Sequence, residues 1–277
     1  MLLHDILIFN KRRLGDARAL TTQDGRSFTF AELHDRSMQL ANALATQGAA
    51  ADHVAILADN QPEYVEAYYG VPAARQRLVF LNYRLAAPEL VRIINDAGAS
   101  TLIYAEAFAG TVAAMRNDLD KVQQTLCLGD EYEAFIAGQS TAVPELGASA
   151  SDPAWLIYTS GTTGMPKGAM ISHRNLFSSV FNGQVSNPSE TPASPHFLFP
   201  FPLCHIAGYA VLGQHAAGNP VALMSAYSPE EWMRMVDALA ITGTALAPTM
   251  INMLLNHPDI DRYRLDTLTS LGYGASS

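Results

Sequence analysis

Between Thr159 and Gly168 the chain reads Thr159-Ser160-Gly161-Thr162-Thr163-Gly164-Met165-Pro166-Lys167-Gly168, directly after the apolar stretch Trp155-Leu156-Ile157-Tyr158. Glycines let backbone N–H groups turn toward one point and leave room for a bulky anion. Hydroxyls add donors, and the lysine adds a full positive charge. That combination suits polyphosphate, and so points to a nucleoside triphosphate rather than to a metal ion or a nucleic acid. It is not a Walker A loop, which needs G-x-x-x-x-G-K-S/T: counting from Gly161, Pro166 stands where the second glycine should be, and Gly168 follows Lys167. A Gly/Ser/Thr linker would share the composition. A linker has no need, however, of a Pro-Lys-Gly ending or of strand-forming stretches on both sides (155–159 and 169–171).

Other residue types that could do chemistry are sparse. His205 ends the run Pro202-Leu203-Cys204-His205, where it is either a pocket residue or a structural histidine at a strand edge. His196, His205 and His215 are spaced unlike H-E-x-x-H, so no zinc site is expected. Cys127 and Cys204 form no C-x-x-C pair, and Cys204 reads as packing rather than as a nucleophile. Near the end, Gly272-Tyr273-Gly274-Ala275 begins like G-x-G-x-x-G but lacks the third glycine and a following helix.

The elements that must position these residues alternate. Thr29 and Glu32 form a capping box, and Phe30, Leu33, Ser37, Leu40 and Leu44 recur on one helical face until Gly48. A strand is expected at 54–57, and Asn60 and Glu63 look like a cap around Pro62 opening the next helix. Strands at 78–81, 101–104 and 125–128 follow, separated by helices near 88–95 and up to about 117. The pattern then resumes with strands at 197–199, 221–224, 244–247 and 268–271 and helices near 209–216, 229–240 and 249–256. Ser228-Pro229-Glu230-Glu231 is a strong helix start, with Trp232, Met235, Val236 and Leu239 as a core stripe. Strands separated by helices require right-handed crossovers and a largely parallel sheet. The expected fold class is therefore α/β, with two stacked αβ subdomains of mainly parallel sheets. The first covers 1–190 and includes the loop 159–168; the second covers 191–277 and is incomplete. Such layers bind ligands at the carboxyl ends of strands and in the crevice between layers.

Bulk properties exclude several classes. The net charge is −9, with 16% charged residues and no basic block, which argues against nucleic acid as a partner. The two isolated cysteines fit a reducing, cytoplasmic setting. The apolar start Leu2–Phe9 is interrupted by Asp5 and followed, not preceded, by Lys11, Arg12 and Arg13. That order is wrong for a signal peptide, and the run is shorter than the roughly twenty residues of a membrane span. An ordinary first helix is expected, with a membrane-surface role as the alternative.

The loop resembles the adenylate-forming superfamily, whose phosphate loop reads S/T-S/G-G-S/T-S/T-G-x-P-K-G, a pattern matched throughout by residues 159–168. Ile171-Ser172-His173-Arg174-Asn175-Leu176, Ser27-Phe28-Thr29-Phe30-Ala31-Glu32-Leu33, Asn60-Gln61-Pro62-Glu63, Leu81-Asn82-Tyr83-Arg84-Leu85 and Pro202-Leu203-Cys204-His205 are similar to further segments of acyl-CoA synthetases. The resemblance implies an ATP-dependent acid–thiol ligase with a fatty acid as the small-molecule substrate. A carboxylate would attack ATP to give an acyl-adenylate and pyrophosphate, and coenzyme A would then displace AMP. ATP, Mg2+ and coenzyme A are the implied cofactors and co-substrates. Thr159, Ser160, Gly161, Thr162, Thr163, Gly164 and Lys167 would hold the ATP phosphates, although Lys167 could instead steady the loop through a surface pair. Tyr273, Gly274 and Ala275 would touch adenosine, with Tyr273 in place of a usual glycine, and His205 would line the acyl and adenylate pocket. Arg75-Gln76-Arg77 departs from the small residues usual at a strand entry. The family's later elements (Y-G-x-T-E, Y-x-T-G-D and a late lysine) are not in the chain, nor are its β-barrel and carboxyl-terminal lid. The chain is thus expected to be an amino-terminal portion with weak or no turnover alone. Two other readings stand beside this one. One is a non-catalytic nucleotide- or partner-binding module. The other is an interaction protein whose uncovered last strand pairs with a second copy as a homodimer.

Overall fold

The computed structural model describes residues 1–47, 52–159, 166–186 and 195–274. The chain opens with α1 (Leu3–Leu14) and a hairpin of β1 (Arg18–Thr22) and β2 (Ser27–Thr29), then α2 (Phe30–Gln47). Gly25, at φ +90, sits in the hairpin turn, where a side chain would be strained. The expected capping box starts α2: Thr29 N–H donates to Glu32 Oε2 (2.8 Å), and Glu32 N–H to Thr29 Oγ1 (3.1 Å). Gly48, expected to end this helix, lies outside the described residues.

Alternation then sets in: β3 (His53–Leu57), α3 (Pro62–Ala73), β4 (Arg77–Phe80), α4 (Ala87–Ala97), β5 (Thr101–Tyr104), α5 (Ala109–Met115), β6 (Gln124–Cys127), α6 (Asp130–Ile136), β7 (Pro153–Thr159), β8 (Lys167–Ser172) and α7 (His173–Ser186). The six strands form one sheet in the order β6-β5-β3-β4-β7-β8, parallel except for the edge strand β8, which runs back along β7. Continuous apolar strands such as Val54 to Leu57, buried throughout, are what a sheet covered on both faces requires.

The remaining elements are β9 (Phe197–Phe199), α8 (Tyr209–Ala217), β10 (Val221–Leu223), α9 (Pro229–Leu239), β11 (Gly243–Leu246), α10 (Pro248–Leu255) and β12 (Ser270–Tyr273). Ser228 caps α9 by accepting from Glu231 N–H at 3.2 Å, and Trp232, Met235 and Val236 are buried as expected. The second sheet runs β12-β11-β9-β10-β1-β2. The amino-terminal hairpin thus belongs to the second sheet, Leu20 pairing with Val221 in parallel. The expected subdomain boundary at 190/191 falls outside the described residues. In terms of sheets, 18–29 goes with the later half of the chain. The matching α/β architecture is otherwise the expected one, two stacked layers with mainly parallel sheets.

Helix α3 lies between the layers, and every residue from Pro62 to Ala73 is buried. Tyr68 packs its ring against Phe80 (5.5 Å between centroids) and Trp155 (4.6 Å) of the first sheet. Its hydroxyl donates to Leu203 O of the second half at 2.5 Å. Tyr69 does the same on the next face, its hydroxyl 2.8 Å from His215 Nδ1. Burying such an aromatic ring contributes about 1.5–3 kcal/mol, and the buried hydroxyls need the partners they have. Close approach of α2 is permitted by Gly70, where a Cβ would stand 2.6 Å from Ser37 O. Buried Glu66 is held by Arg36 Nε (2.5 Å) and the Tyr132 hydroxyl (2.7 Å), which offsets the cost of its desolvation.

One local expectation is overturned here. Asn60 does not cap α3; Gln61 occupies the N-cap position without a side-chain bond. The Asn60 amide is consumed by the other layer instead, as described below. The unusual Arg75-Gln76-Arg77 entry to β4 is also accommodated. Arg75 takes a left-handed conformation (φ 59) and bonds Asp152 and Leu146 O, while buried Gln76 donates to Leu44 O.

Candidate functional site

The carboxyl ends of the two parallel sheets meet. Asn60, in the turn after β3, donates to Phe201 O after β9 and to Met224 O after β10, both at 2.7 Å, and accepts from Leu203 N–H at 2.7 Å. The turn after β4 joins them: Tyr83 packs against the buried cluster that contains Leu203 and Cys204, and the charge of Arg84 acts to lower the pKa of both Cys204 and His205. Loops following β3, β4, β9 and β10 thus form one edge, the position where layered α/β folds hold ligands.

The phosphate-loop candidate opens from the same end of the first sheet. Thr159 and Lys167 are the last facing pair of the β7–β8 ladder, and β7 lies next to β4. The loop therefore spans a hairpin whose stem is fixed by backbone pairing. Ser160, Gly161, Thr162, Thr163 and Gly164 lie outside the described residues. Gly168 lets the β8 backbone press on the floor: a Cβ there would be 3.0 Å from both Leu156 Cδ1 and Tyr158 Cζ. The Tyr158 hydroxyl donates to Asp96 at 2.6 Å, tying the end of β7 to α4. Burial, followed by the Asp96 carboxylate, raises its pKa, so it stays a donor at neutral pH. Lys167 is exposed and makes no ion pair among the described residues.

His205 stands in the turn between β9 and α8, exposed, ahead of the single helical turn Ile206–Gly208. Partial burial of the ring, with Arg84 second, lowers its pKa, so the imidazole is neutral near pH 7. Its neighbour Cys204 is buried and its thiol is pushed up to about 11, chiefly by desolvation. That is the packing residue expected, not a nucleophile. His196 and His215 do not gather round His205. His215 is fully buried, with Nε2 3.1 Å from Ala19 O, and His196 Nδ1 lies 3.1 Å from Leu239 O. Among the described residues no group of three His, Cys, Asp or Glu side chains could hold a metal ion.

Tyr273 ends β12 at the same carboxyl side of the second sheet but at its outer edge, beyond β11, and it and Gly274 are exposed. Ala275 lies outside the described residues. Three residues that matter to the geometry had been given no such part by sequence reasoning: Asn60, Tyr68 and Arg84. Asn60 and Arg84 sit in segments noticed for their resemblance, but their partners lie far along the chain. Tyr68 carries no local signal beyond its apolar helix.

Residues 9–277 match the family described as AMP-binding enzyme. The chain is 34% identical over 268 residues to a feruloyl-CoA synthase of Amycolatopsis sp., covering 94% of this chain and 51% of that protein. It is 30% identical over 258 residues to the fatty acid–[acyl-carrier-protein] ligase ScoC of Streptomyces coeruleorubidus, covering 91% of this chain and 49% of the relative. The chain thus spans about half the length of the curated relatives it matches. In structure it resembles the inhibitor-bound N-terminal domain of FACL13 from Mycobacterium tuberculosis, with a TM-score of 0.93 at 22% identity, over 99% of this chain and 70% of that one. No helix among the described residues is long and apolar enough to cross a membrane. With the family match spanning nearly all of its length, the chain belongs to the adenylate-forming, AMP-binding enzymes, whose homologues here are acyl-CoA and fatty-acid ligases.

Proposed function

We propose that this chain is the ATP- and acid-binding part of an acyl-CoA ligase acting on a fatty acid, with turnover depending on a longer polypeptide. The observation that carries the reading is the placement of the Thr159–Lys167 hairpin at the carboxyl end of β7, beside the edge where the His205 turn meets the loops after β3 and β4. Thr159, Ser160, Gly161, Thr162, Thr163 and Gly164 would surround the β- and γ-phosphates of MgATP, the leaving group, and Lys167 would supply positive charge. Both reactants of the first step are anions, so neutralisation and positioning dominate catalysis. The carboxylate oxygen bonds to the α-phosphorus as the bond to pyrophosphate breaks. The coenzyme A thiol then adds to the acyl carbon, losing its proton as AMP departs. A neutral His205 would line the new acyl-phosphate group by hydrogen bonding, without adding charge. Tyr273, Gly274 and Ala275 would border the adenosine.

The likeness to a feruloyl-CoA synthase favours one second reading, an aromatic carboxylate in place of the fatty acid. Pyrophosphate release from ATP, assayed with the full gene product that contains this chain, tests both. Release stimulated by medium- or long-chain fatty acids is expected. Stimulation by ferulate alone would move the substrate class. No release above the acid-free blank would leave the non-catalytic binding module as the reading.

A further inference from the structure

We infer that Asn60, assisted by Tyr68, is the positioning residue of His205. The inference rests on the proposed ligase reading for its catalytic consequence, but not for its geometry. The turn from Phe201 to Gly208 leaves β9 after only three paired residues and has few backbone bonds of its own: His205 N–H to Pro202 O (3.2 Å) and Gly208 N–H to His205 O (2.9 Å). Side chains from the first layer supply the rest. Asn60 is buried, and its amide meets three backbone groups of the second layer, two carbonyls and the Leu203 N–H. The Tyr68 hydroxyl takes the Leu203 carbonyl, so both polar groups of Leu203, two residues before His205, are held from across the interface. Gly208 closes the other end. A Cβ at that position would lie 2.0 Å from the Tyr68 hydroxyl and 3.0 Å from Leu203 O, so the backbone is seated directly on the tyrosine.

An asparagine is suited to this task because one planar group offers a donor pair and an acceptor in fixed relation. Aspartate is isosteric but would face two carbonyl oxygens with a charge. Backbone groups buried without partners are costly, so loss of the amide releases the turn rather than leaving it in place. A shift of about 1 Å at a reacting group costs on the order of 100-fold in rate.

The test reads His205 directly. In the full gene product with ring-labelled histidine, Asn60→Ala is expected to shift the His205 imidazole resonances and to raise its titration midpoint toward the ordinary value, as the ring leaves Arg84 and gains water. Tyr68→Phe, which keeps the buried ring, should produce a smaller shift of the same resonances. Asn42→Ala is the control, since Asn42 also bridges distant backbone carbonyls (Ser140 and Ala142) but on the far side of α2; it should leave His205 unchanged. In turnover, Asn60→Ala is expected to lower kcat for adenylation on the order of 100-fold with the KM for ATP within about twofold. Folded Asn60→Ala protein with wild-type His205 resonances would overturn the inference. If that variant does not fold, unmoved His205 resonances in Tyr68→Phe would do so. Absence of pyrophosphate release by the unmodified enzyme would instead sink the ligase reading and leave the resonance result standing.

Discussion

The β7–β8 hairpin and the His205 turn sit at the same edge of the molecule and are built in opposite ways. The hairpin is held by a backbone ladder and one outward strut, Tyr158 to Asp96; its second strand is exposed from Lys167 to Met170. The His205 turn is short of backbone pairing and is wired by buried side chains of the other layer. On the proposed reading, a loop that wraps and releases a triphosphate gains from a rigid stem. A turn that must present one imidazole gains from being over-determined. The difference therefore predicts that perturbing the wired turn costs stability, whereas perturbing the hairpin costs ligand affinity.

The largest effect should come from the wired side. Gly208→Val places carbon where the Tyr68 hydroxyl stands, and should cost about 3 kcal/mol or more, a drop of several degrees in Tm by thermal melting. Unchanged Tm would mean that the turn is not seated on Tyr68.

Acid comes next. Burial holds the imidazoles of His215 and His173 neutral in the fold, each pushed down to about 4, and His173 Nδ1 accepts the Leu3 N–H at 3.0 Å. In the unfolded chain both protonate near pH 6.5. The unfolded state then binds more protons, so stability is complete above about 6.5 and declines as pH falls toward 4. The slope approaches about 1.4 kcal/mol per pH unit for each group. His215 bonds Tyr69 on α3 and lies on α8, which leads out of the His205 turn, so the wired region carries the His215 share of this loss, and His173, at the start of α7, carries the other. Melting curves at pH 7 and pH 5 check it, and a flat Tm would contradict it.

Smaller effects belong to the hairpin. Tyr158→Phe removes one hydrogen bond to an exposed carboxylate and should cost about 1 kcal/mol in stability, read by denaturant titration. Gly168→Ala meets only the tips of Leu156 and Tyr158, which can yield; its cost should stay near 1 kcal/mol, well below that of Gly208→Val.

What could be read in advance followed from range. Local signals were sufficient where the deciding atoms are near in sequence. The Thr29–Glu32 box, the Ser228 cap and the strands at 101–104 and 197–199 all rest on neighbours within a few residues, and all are present. The β1–β2 hairpin escaped notice because 18–29 is short and polar, and its parallel partner Val221–Leu223 lies some 200 residues on. Asn60 differs from its expected part for the same reason: two residues before Pro62 it has the form of a helix cap, but its three partners are all on the other layer. At the site, the phosphate-loop assignment draws on one contiguous pattern, most of which lies outside the described residues. The support of His205 was not legible, since Asn60, Tyr68 and Arg84 reach it only through the packing of α3 and the β4 turn.

The most direct measurement is calorimetric titration of a non-hydrolysable ATP analogue with Mg2+ into the full gene product, wild type against a Thr162→Ala, Thr163→Ala double variant. Saturable heat in the wild type is predicted. In the variant, affinity should fall at least tenfold, about 1.4 kcal/mol, while Tm stays unchanged. Equal affinity in the two proteins, or no heat in either, would contradict the assignment of the Thr159–Lys167 hairpin as the seat of the triphosphate.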